Sequence, residues 1–299
     1  MSLLGDKLEF GKPLAPLTTF GTGGPARYFI TVTTAQEASK AVSAAVQLGL
    51  PFTLIGGGSN LLVSDSGFDG LVIRMAVMGL KLIDETTVDC GAGEDLQALV
   101  LFAADNSLSG MEFATGIWGT VGGAIYGNAG AYGGDIGSVI SRVTLVDPAG
   151  RLKTVSKEYC RFGYRDSILK STGEVLTEAR VSLKRDDPAS IRKRIDDIMD
   201  KRNAKFPRGG KTAGCFFKNI PDPAQEFGKL PAGRLLEEVG AKKMAVGGAQ
   251  VYDKHANVII NSGNATSKDI RQLADKLKEK VLDAFGIKLE EEIIQIGDF

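Results

Sequence analysis

The chain has 299 residues, with 36 basic and 36 acidic side chains and zero formal net charge. That balance excludes a nucleic-acid binder working by bulk positive charge, and no run of eighteen apolar residues occurs, so no helical membrane span is predicted. The length is large for one core and leads us to expect two or three subdomains. The N-terminal MSLLGDKLEF lacks a signal-peptide hydrophobic region. Cys90, Cys160 and Cys215 are odd in number and far apart, with neither a disulfide framework nor zinc spacing. We therefore expect a cytoplasmic, reduced protein without a metal site. The one histidine, His255, leaves little scope for His-based metal binding or a Ser-His-Asp triad.

In chain order, Thr18 to Ile30 reads as a Gly-rich turn leading into a strand. Residues 34–49 carry Ala38, Ala41, Val42, Ala45 and Val46 at helical spacing, with Gly49 as the stop. Pro51 to Ile55 reads as a buried strand and runs into Gly56-Gly57-Gly58-Ser59-Asn60, after which Leu61-Leu62-Val63 resumes β character. A dinucleotide fingerprint of the G-x-G-x-x-G kind should open a helix. This loop runs back into a strand, so it is either a phosphate cradle of another kind or a plain hairpin turn. Short strands are expected at Gly70–Arg74, Leu80–Asp84 and Thr87–Cys90, then a helix over about 94–106.

Gly110 to Gly137 is the most unusual stretch, with glycine at 116, 119, 122, 123, 127, 130, 133, 134 and 137 among small apolar residues and tyrosines. A linker would be polar, and a helix would lose about 1 kcal/mol per glycine. Backbone that must closely approach a flat or anionic group is one reading; a tightly packed turn region without a ligand is the other.

Arg142–Val155 reads as a hairpin turning at Asp147-Pro148-Ala149-Gly150, and Val175–Lys184 as another strand. Asp186-Asp187-Pro188 marks a boundary and starts a helix, roughly 188–203, with Ile191, Ile195, Ile198 and Met199 as its stripe. From Lys201 to Pro221 there are six basic residues, Lys201, Arg202, Lys205, Arg208, Lys211 and Lys218, and no acid. A solvated surface and a site for a multiply charged phosphate both account for them. Gly214–Asn219 reads as a strand, Pro231–Gly240 as a short helix, and Met244–Tyr252 and Asn257–Asn261 as strands. Residues 267–285 form the clearest helix, with Ile270, Leu273, Ala274, Leu277, Val281 and Phe285 in its stripe.

Three clusters carry candidate chemistry. Strand alternation over Leu289–Ile296 places Glu290 and Glu292 on one face with Ile294 and Ile296; a buried acid there would be raised in pKa and could relay a proton, whereas an edge strand would leave solvated glutamates. Arg165 in Tyr164-Arg165-Asp166-Ser167 suits a carboxylate or enolate, or an ordinary ion pair with Asp166. Cys215 is either a small buried hydrophobe or, as a thiol protonated at neutral pH, a proton donor.

The ordered motifs TFGTGGPA, GGGSNLL, GTVGGAIYGNAGAYGGDI, YRDS, GCFFKN, GGAQV and LEEEI closely resemble the UDP-N-acetylenolpyruvoylglucosamine reductase family, over about Leu17 to Gly297. The resemblance implies an α+β protein: a FAD-binding fold of the vanillyl-alcohol-oxidase type in two α+β subdomains, residues 1–74 and 75–186, plus a C-terminal α+β substrate-binding domain, 187–299, whose last strand 289–296 returns to the active site. It implies NADPH-dependent reduction of an enolpyruvyl UDP-sugar to UDP-N-acetylmuramate for peptidoglycan synthesis. FAD would be cradled by Gly23 and Gly24, by Gly56, Gly57, Gly58, Ser59, Asn60 and Leu61, and by Gly116, Thr120, Gly122, Gly123, Ala124, Asn128, Gly130, Ala131 and Ile136. No histidine lies in residues 1–254, so FAD is expected to be non-covalent.

Carried onto this chain, Arg165 and Glu292 would stabilise the substrate enolate and Cys215, where the family most often has serine, would deliver the proton. Tyr164, Lys205, Asn219 and Gln250 would hold the substrate. LEEEI departs from the common L-E-P-E-V by Glu291 in place of proline. The chain looks like the shorter type of the family, without the extra substrate loop after YRDS. Oligomeric state is open, with a monomer slightly favoured. Another flavin oxidoreductase of the same fold, such as an oxidase of small alcohols, and a non-catalytic nucleotide-sugar binder are the competing readings.

Overall fold

The computed structural model describes residues 5, 7–207, 209–225 and 228–299. The chain forms two compact units. The first comprises Met1–Gly11, Arg27–Gly57 and Asp69–Arg202; the second comprises Lys12–Ala26, Gly58–Phe68 and Asn203–Phe299.

The first unit is built on two sheets. One is antiparallel, in the order Leu152–Ser156, Ile140–Val146, Val175–Ser182, Thr87–Gly91, Leu80–Leu82. The expected hairpin is present, with Val146 paired to Leu152 around the Asp147–Gly150 turn. The other sheet has the order Glu9–Pro13, Pro25–Val32, Phe68–Met75, Phe52–Ile55, and Phe52–Ile55 runs parallel to Leu71–Arg74. The helix Ala35–Gln47 follows Pro25–Val32, capped by Thr34 and ended by Gly49 at φ +63°. Its Ala38, Ala41, Val42 and Ala45 enter the core, together with Leu96, Leu99, Val100 and Ala103 of the helix Leu96–Asp105. Each fully buried large aliphatic side chain in such a core contributes about 1.5–3 kcal/mol.

The second unit packs the helix Ser267–Phe285 on the three-stranded sheet Ala245–Val246, Ala249–Tyr252, His255–Asn261. Ile270, Leu273, Ala274, Leu277 and Val281 meet Phe216, Phe217, Leu236 and Ile259 in its core. A capping box of Thr266 and Asp269 starts the helix, and Gly286 at φ +69° ends it. The last strand, Ile294–Ile296, runs parallel to Leu61–Val63, so residues distant in sequence share one short ribbon.

Several expectations need correction. Met244–Tyr252 is not one strand but a hairpin around Gly247 and Gly248, where Gly247 takes φ +51° and a Cβ on Gly248 would lie 2.4 Å from the Ala265 nitrogen. Gly214–Asn219 is not a ladder strand; it makes two single bridges, Cys215 with Val258 and Phe217 with Glu291. Leu289–Ile296 is strand only over Ile294–Ile296, and it buries Leu289, Ile293 and Ile296, so period-two alternation fails. Of the strand read at 51–55, only Ile55 is fully buried. Val46 and Phe285, placed in apolar stripes, are exposed. The glycine stretch contains a six-residue helix, Val121–Tyr126, despite its composition.

Candidate active site

The glycine stretch of the first unit folds back on the loop after Phe52–Ile55. A Cβ on Gly56 would lie 2.4 Å from Thr120 Oγ1, and one on Gly57 would lie 2.9 Å from the Gly119 Cα. No side chain fits between these loops, so they present bare main chain. Thr120 caps Val121–Tyr126, accepting from the Gly123 amide at 3.3 Å. The other first-turn amides are also engaged: Val121 donates to the Glu94 carbonyl at 2.9 Å and Gly122 to that of Ala92 at 2.8 Å. The helix start is therefore not an open phosphate site, which favours the reading of this part of the stretch as tightly packed turns. Gly123 itself is exposed there, and Ala124 is buried behind it.

Beyond this helix the expected cofactor residues differ in task. Asn128, at φ +43° and buried, accepts from the Gly137 amide at 2.9 Å and donates to the Gly163 carbonyl at 2.7 Å. That is the work of a loop staple rather than a cofactor donor. Gly130 and Ala131 pair with Asp135 and Gly134 in a two-residue ribbon. A Cβ on Gly134 or Gly137 would strike the ring of Phe113 or Phe162 at 2.7 Å. These glycines admit protein side chains, and Ile136 is buried with them. Gly116 lies under Arg202, 3.0 Å from its side chain by the same construction.

Two residues absent from the sequence expectation lie in this region. Thr115 is fully buried and its hydroxyl has no partner among the described residues. A buried orphan hydroxyl is costly and points to a group supplied from outside the chain. Trp118, the single tryptophan, is 45% exposed between Gly116 and Gly119. Neither is visible as a pattern, because burial and missing partners are properties of the folded chain.

Arg165 sits in a tight turn where Gly163 and Asp166 exchange main-chain bonds of 3.0 and 3.2 Å. It takes φ +53°, a region that L side chains with a Cβ rarely occupy. Its Nη2 donates to the Gly130 carbonyl at 2.7 Å, and its guanidinium lies 5.4 Å from the Tyr164 ring centre. Asp166 bridges to Lys170 at 3.8 Å. Ser167 is buried and donates to the Tyr126 carbonyl at 2.7 Å. The turn thus holds Arg165 beside the glycine stretch.

In the second unit, Gly23, Gly24 and Gly58 are required by chain packing. A Cβ on Gly23 would lie 2.7 Å from Val63, one on Gly24 2.3 Å from the Asp65 carbonyl, and one on Gly58 1.9 Å from that of Leu17. Their being glycine therefore does not by itself mark cofactor contact. Thr22 beside them is buried, with an orphan hydroxyl among the described residues. Asn60 donates from Nδ2 to the Glu292 carbonyl at 3.1 Å, and its own carbonyl accepts from Ile294 at 3.0 Å. Ser59 is half-buried and Leu61 buried alongside.

The Cys215 segment is threaded between two partners. Phe216 donates to the Asn257 carbonyl at 2.8 Å and accepts from the Glu292 amide at 2.8 Å. The Asn257 side chain closes the pair, accepting from Phe217 N–H at 2.9 Å and donating to its carbonyl at 2.8 Å. Cys215, itself bridged to Val258, is thus the chain neighbour of the residue that accepts from the Glu292 amide, and both Cys215 and Glu292 are half-buried. Burial pushes Cys90 up to about 12 and Cys160 up to about 11, which leaves Cys215 as the accessible thiol. Glu290 is exposed and bridged to Lys218 at 3.3 Å.

Asn219 accepts on Oδ1 from the Ala232 amide at 3.2 Å. Gln250 is exposed and lines a groove of ≈ 430 Å³ with Lys242, Lys243 and Tyr252. Lys205 is exposed at the end of the helix Pro188–Lys205. Burial, reinforced by the Lys205 charge, pulls His255 below its ordinary pKa. Of the basic run, Arg208 lies outside the described residues. Among the described residues no cluster of His, Cys, Asp and Glu could hold a metal ion, and no helix is long and apolar enough to cross a membrane.

Closely apposed glycine main chain at Gly56, Gly57 and Gly119 and the buried orphan hydroxyl of Thr115 fit a region that receives a group from outside the chain, and residues 26–156 match the FAD binding domain family. The chain is an FAD-dependent oxidoreductase of the expected α+β flavin fold. Residues 206–296 match the family described as UDP-N-acetylenolpyruvoylglucosamine reductase, C-terminal domain. The chain is 37% identical to the UDP-N-acetylenolpyruvoylglucosamine reductase of Desulforamulus reducens, over 99% of this chain and 96% of the relative. It is 38% identical to that of Solibacter usitatus, over 95% of each. The crystal structure of the Thermus caldophilus enzyme superposes with a TM-score of 0.81 at 34% identity, over 97% of this chain and 98% of that one. The chain belongs to the UDP-N-acetylenolpyruvoylglucosamine reductase family, whose cofactors are FAD and NADPH and whose substrate is a UDP-sugar.

Proposed function

We propose that this chain reduces the enolpyruvyl group of UDP-N-acetylenolpyruvoylglucosamine to UDP-N-acetylmuramate, a step of peptidoglycan precursor synthesis, with Arg165, Cys215 and Glu292 as its reacting side chains. Bound FAD supplies a two-electron relay from NADPH to the terminal carbon of the enolpyruvyl double bond. The carbon next to the substrate carboxylate then carries enolate charge and needs one proton. Cys215 donates it, and the thiolate is reprotonated from solvent, so the balance is one hydride and one proton added across the double bond. Arg165 pairs with the carboxylate, where a planar guanidinium offers two parallel donors. Glu292 supports the developing enolate as a hydrogen-bonding acid. Tyr164, Lys205, Asn219 and Gln250 hold the rest of the sugar nucleotide. Gly56, Gly57, Gly116, Thr120, Gly122, Gly123, Ala124, Gly130, Ala131 and Ile136 of the first unit are assigned to cofactor binding, as are Gly23, Gly24, Gly58, Ser59, Asn60 and Leu61 of the second.

The observation that supports this reading is the main-chain bond from the Glu292 amide to the Phe216 carbonyl, which ties the segment of the acid to the segment of the thiol. A cytoplasmic location follows from a reaction that draws on NADPH. A monomer suffices, since every assigned residue comes from one chain. The test is a visible absorption spectrum of the purified protein under anaerobic conditions. Flavin bands should bleach on adding NADPH and return on adding the enolpyruvyl sugar nucleotide. A protein that bleaches but recovers only with oxygen is an oxidase, and a colourless one that binds the UDP-sugar is a binding protein.

A further inference from the structure

Glu291 takes no part in the reaction as assigned, yet three side chains converge on it. Its carboxylate is only 14% exposed. Arg271 Nη1 reaches both of its oxygens, at 3.1 and 3.3 Å, Lys278 Nζ lies 2.7 Å from Oε1, and Gln295 Nε2 donates to Oε2. Arg271 and Lys278 stand on one stripe of the helix Ser267–Phe285, and both also pair with Asp275, at 3.1 and 2.9 Å. Two cations and two anions thus close a charge-balanced cluster on a helix that is itself rooted in the core.

The main chain around Glu291 explains what this cluster can do. Glu291 is paired with Phe217, but the bridge bonds run from Lys218 N–H to the Glu290 carbonyl and from Glu292 N–H to the Phe216 carbonyl. This is the non-hydrogen-bonded type of antiparallel pair, so the Glu291 amide contributes nothing to the bridge. Main-chain anchors continue on the C-terminal side, where Asn60 donates to the Glu292 carbonyl and accepts from Ile294, but at Glu291 itself the side chain is the anchor to the helix. Adjacent side chains in an extended pair leave on opposite faces, so fixing Glu291 against the helix fixes the side on which Glu292 is presented.

We propose that Glu291 is a positioning residue: clamped by Arg271, Lys278 and Gln295, it sets the rotation of residues 290–293 and hence the placement of the Glu292 carboxyl. This rests on the role assigned to Glu292. The test is anaerobic rapid mixing of the FAD-loaded protein, in which flavin reduction by NADPH and reoxidation by the enolpyruvyl sugar nucleotide are timed separately. Glu291→Gln and Lys278→Met are expected to slow reoxidation by about 10- to 100-fold, the scale for a catalytic group misplaced by an ångström. Flavin reduction and the KM for the sugar nucleotide should stay within about twofold. Lys278→Arg, which keeps the cation, should retain most of the rate, and the double variant Glu291→Gln/Lys278→Met should be no slower than the slower single one, as partners in one clamp require. Reoxidation at the wild-type rate in Glu291→Gln, or equal slowing of both half-reactions, overturns the proposal. Glu292→Gln separates the two claims. If it abolishes reoxidation while Glu291→Gln reoxidises at the wild-type rate, only the clamp falls; if it leaves reoxidation intact, the role of Glu292 falls and the clamp with it.

Discussion

The Glu292 amide donates to the Phe216 carbonyl at 2.8 Å, which holds Glu292 one residue from Cys215 across a single antiparallel bridge. Neither residue lies on a regular strand at this point; each is held by bonds that its neighbours make. The first consequence concerns the thiol. Cys215→Ala should leave flavin reduction by NADPH unchanged and slow reoxidation by the enolpyruvyl substrate by about 10²- to 10⁴-fold, the contribution of a positioned proton donor. Cys215→Ser should stay within about tenfold of wild type. Stopped-flow absorbance resolves the two steps, and equal loss in both contradicts the assignment.

The same thiol should be chemically distinct. Burial raises Cys90 to about 12 and Cys160 to about 11, and only the thiolate reacts with alkylating agents. One equivalent of iodoacetamide should therefore label Cys215, as located by peptide mass spectrometry, and the UDP-sugar should protect it. Labelling of Cys90 or Cys160 in the folded protein would mean that the first unit opens readily.

Arg165 pays a conformational cost at φ +53°. An alanine there keeps the strained Cβ, whereas glycine does not, so Arg165→Gly should be more stable than Arg165→Ala by about 1 kcal/mol. Both should lose turnover and keep their flavin. Urea denaturation and the flavin-to-protein absorbance ratio measure the two effects. Loss of flavin without loss of turnover per bound flavin would remove Arg165 from the reaction.

His255 is lowered chiefly by burial and then by Lys205. A histidine depressed in the folded state binds its proton more readily once unfolded. Its stabilising contribution is therefore complete above the unfolded value, near 6.5, and is lost as pH falls through the folded one. Stability should decline as pH falls below about 6.5, and His255→Gln should flatten that decline. Glu37, held at about 2 mainly by Lys7, acts only below its ordinary value of 4.5 and so does not confuse this window. Because the chain has one histidine, NMR titration of a single imidazole reads the pKa directly, and Lys205→Met should raise it.

Trp118 lies exposed within the glycine stretch, next to Gly119, which Gly57 closely approaches. Its fluorescence should be quenched when FAD is added to deflavinated protein. Gly57→Ala, whose Cβ meets main chain at 2.9 Å, should weaken that titration without changing the emission of the free protein. Unquenched emission at saturating FAD would place the cofactor away from this loop.

Much of this molecule is set by local sequence. Stripes such as Ile270 to Val281, caps at Thr34 and Thr266, and stops at Gly49 and Gly286 act within a few residues, so helices and hairpins are legible from neighbours alone. The motif order, from TFGTGGPA to LEEEI, likewise identifies the family and the flavin chemistry. What the neighbours of a residue cannot determine is which partner its polar groups find. Gly122 and Gly123 look like phosphate donors until Ala92 and Thr120 accept from them, and Asn128 looks like a ligand until Gly137 and Gly163 claim it. The inward face of LEEEI is likewise decided at long range: Leu289 and Ile293 are buried, and Glu291 turns inward with them because Arg271 and Lys278 on a helix receive it. The pairing of Leu61–Val63 with Ile294–Ile296, and of Cys215's segment with Glu292's, belongs to tertiary structure because main-chain bonds between distant segments carry no sequence signature.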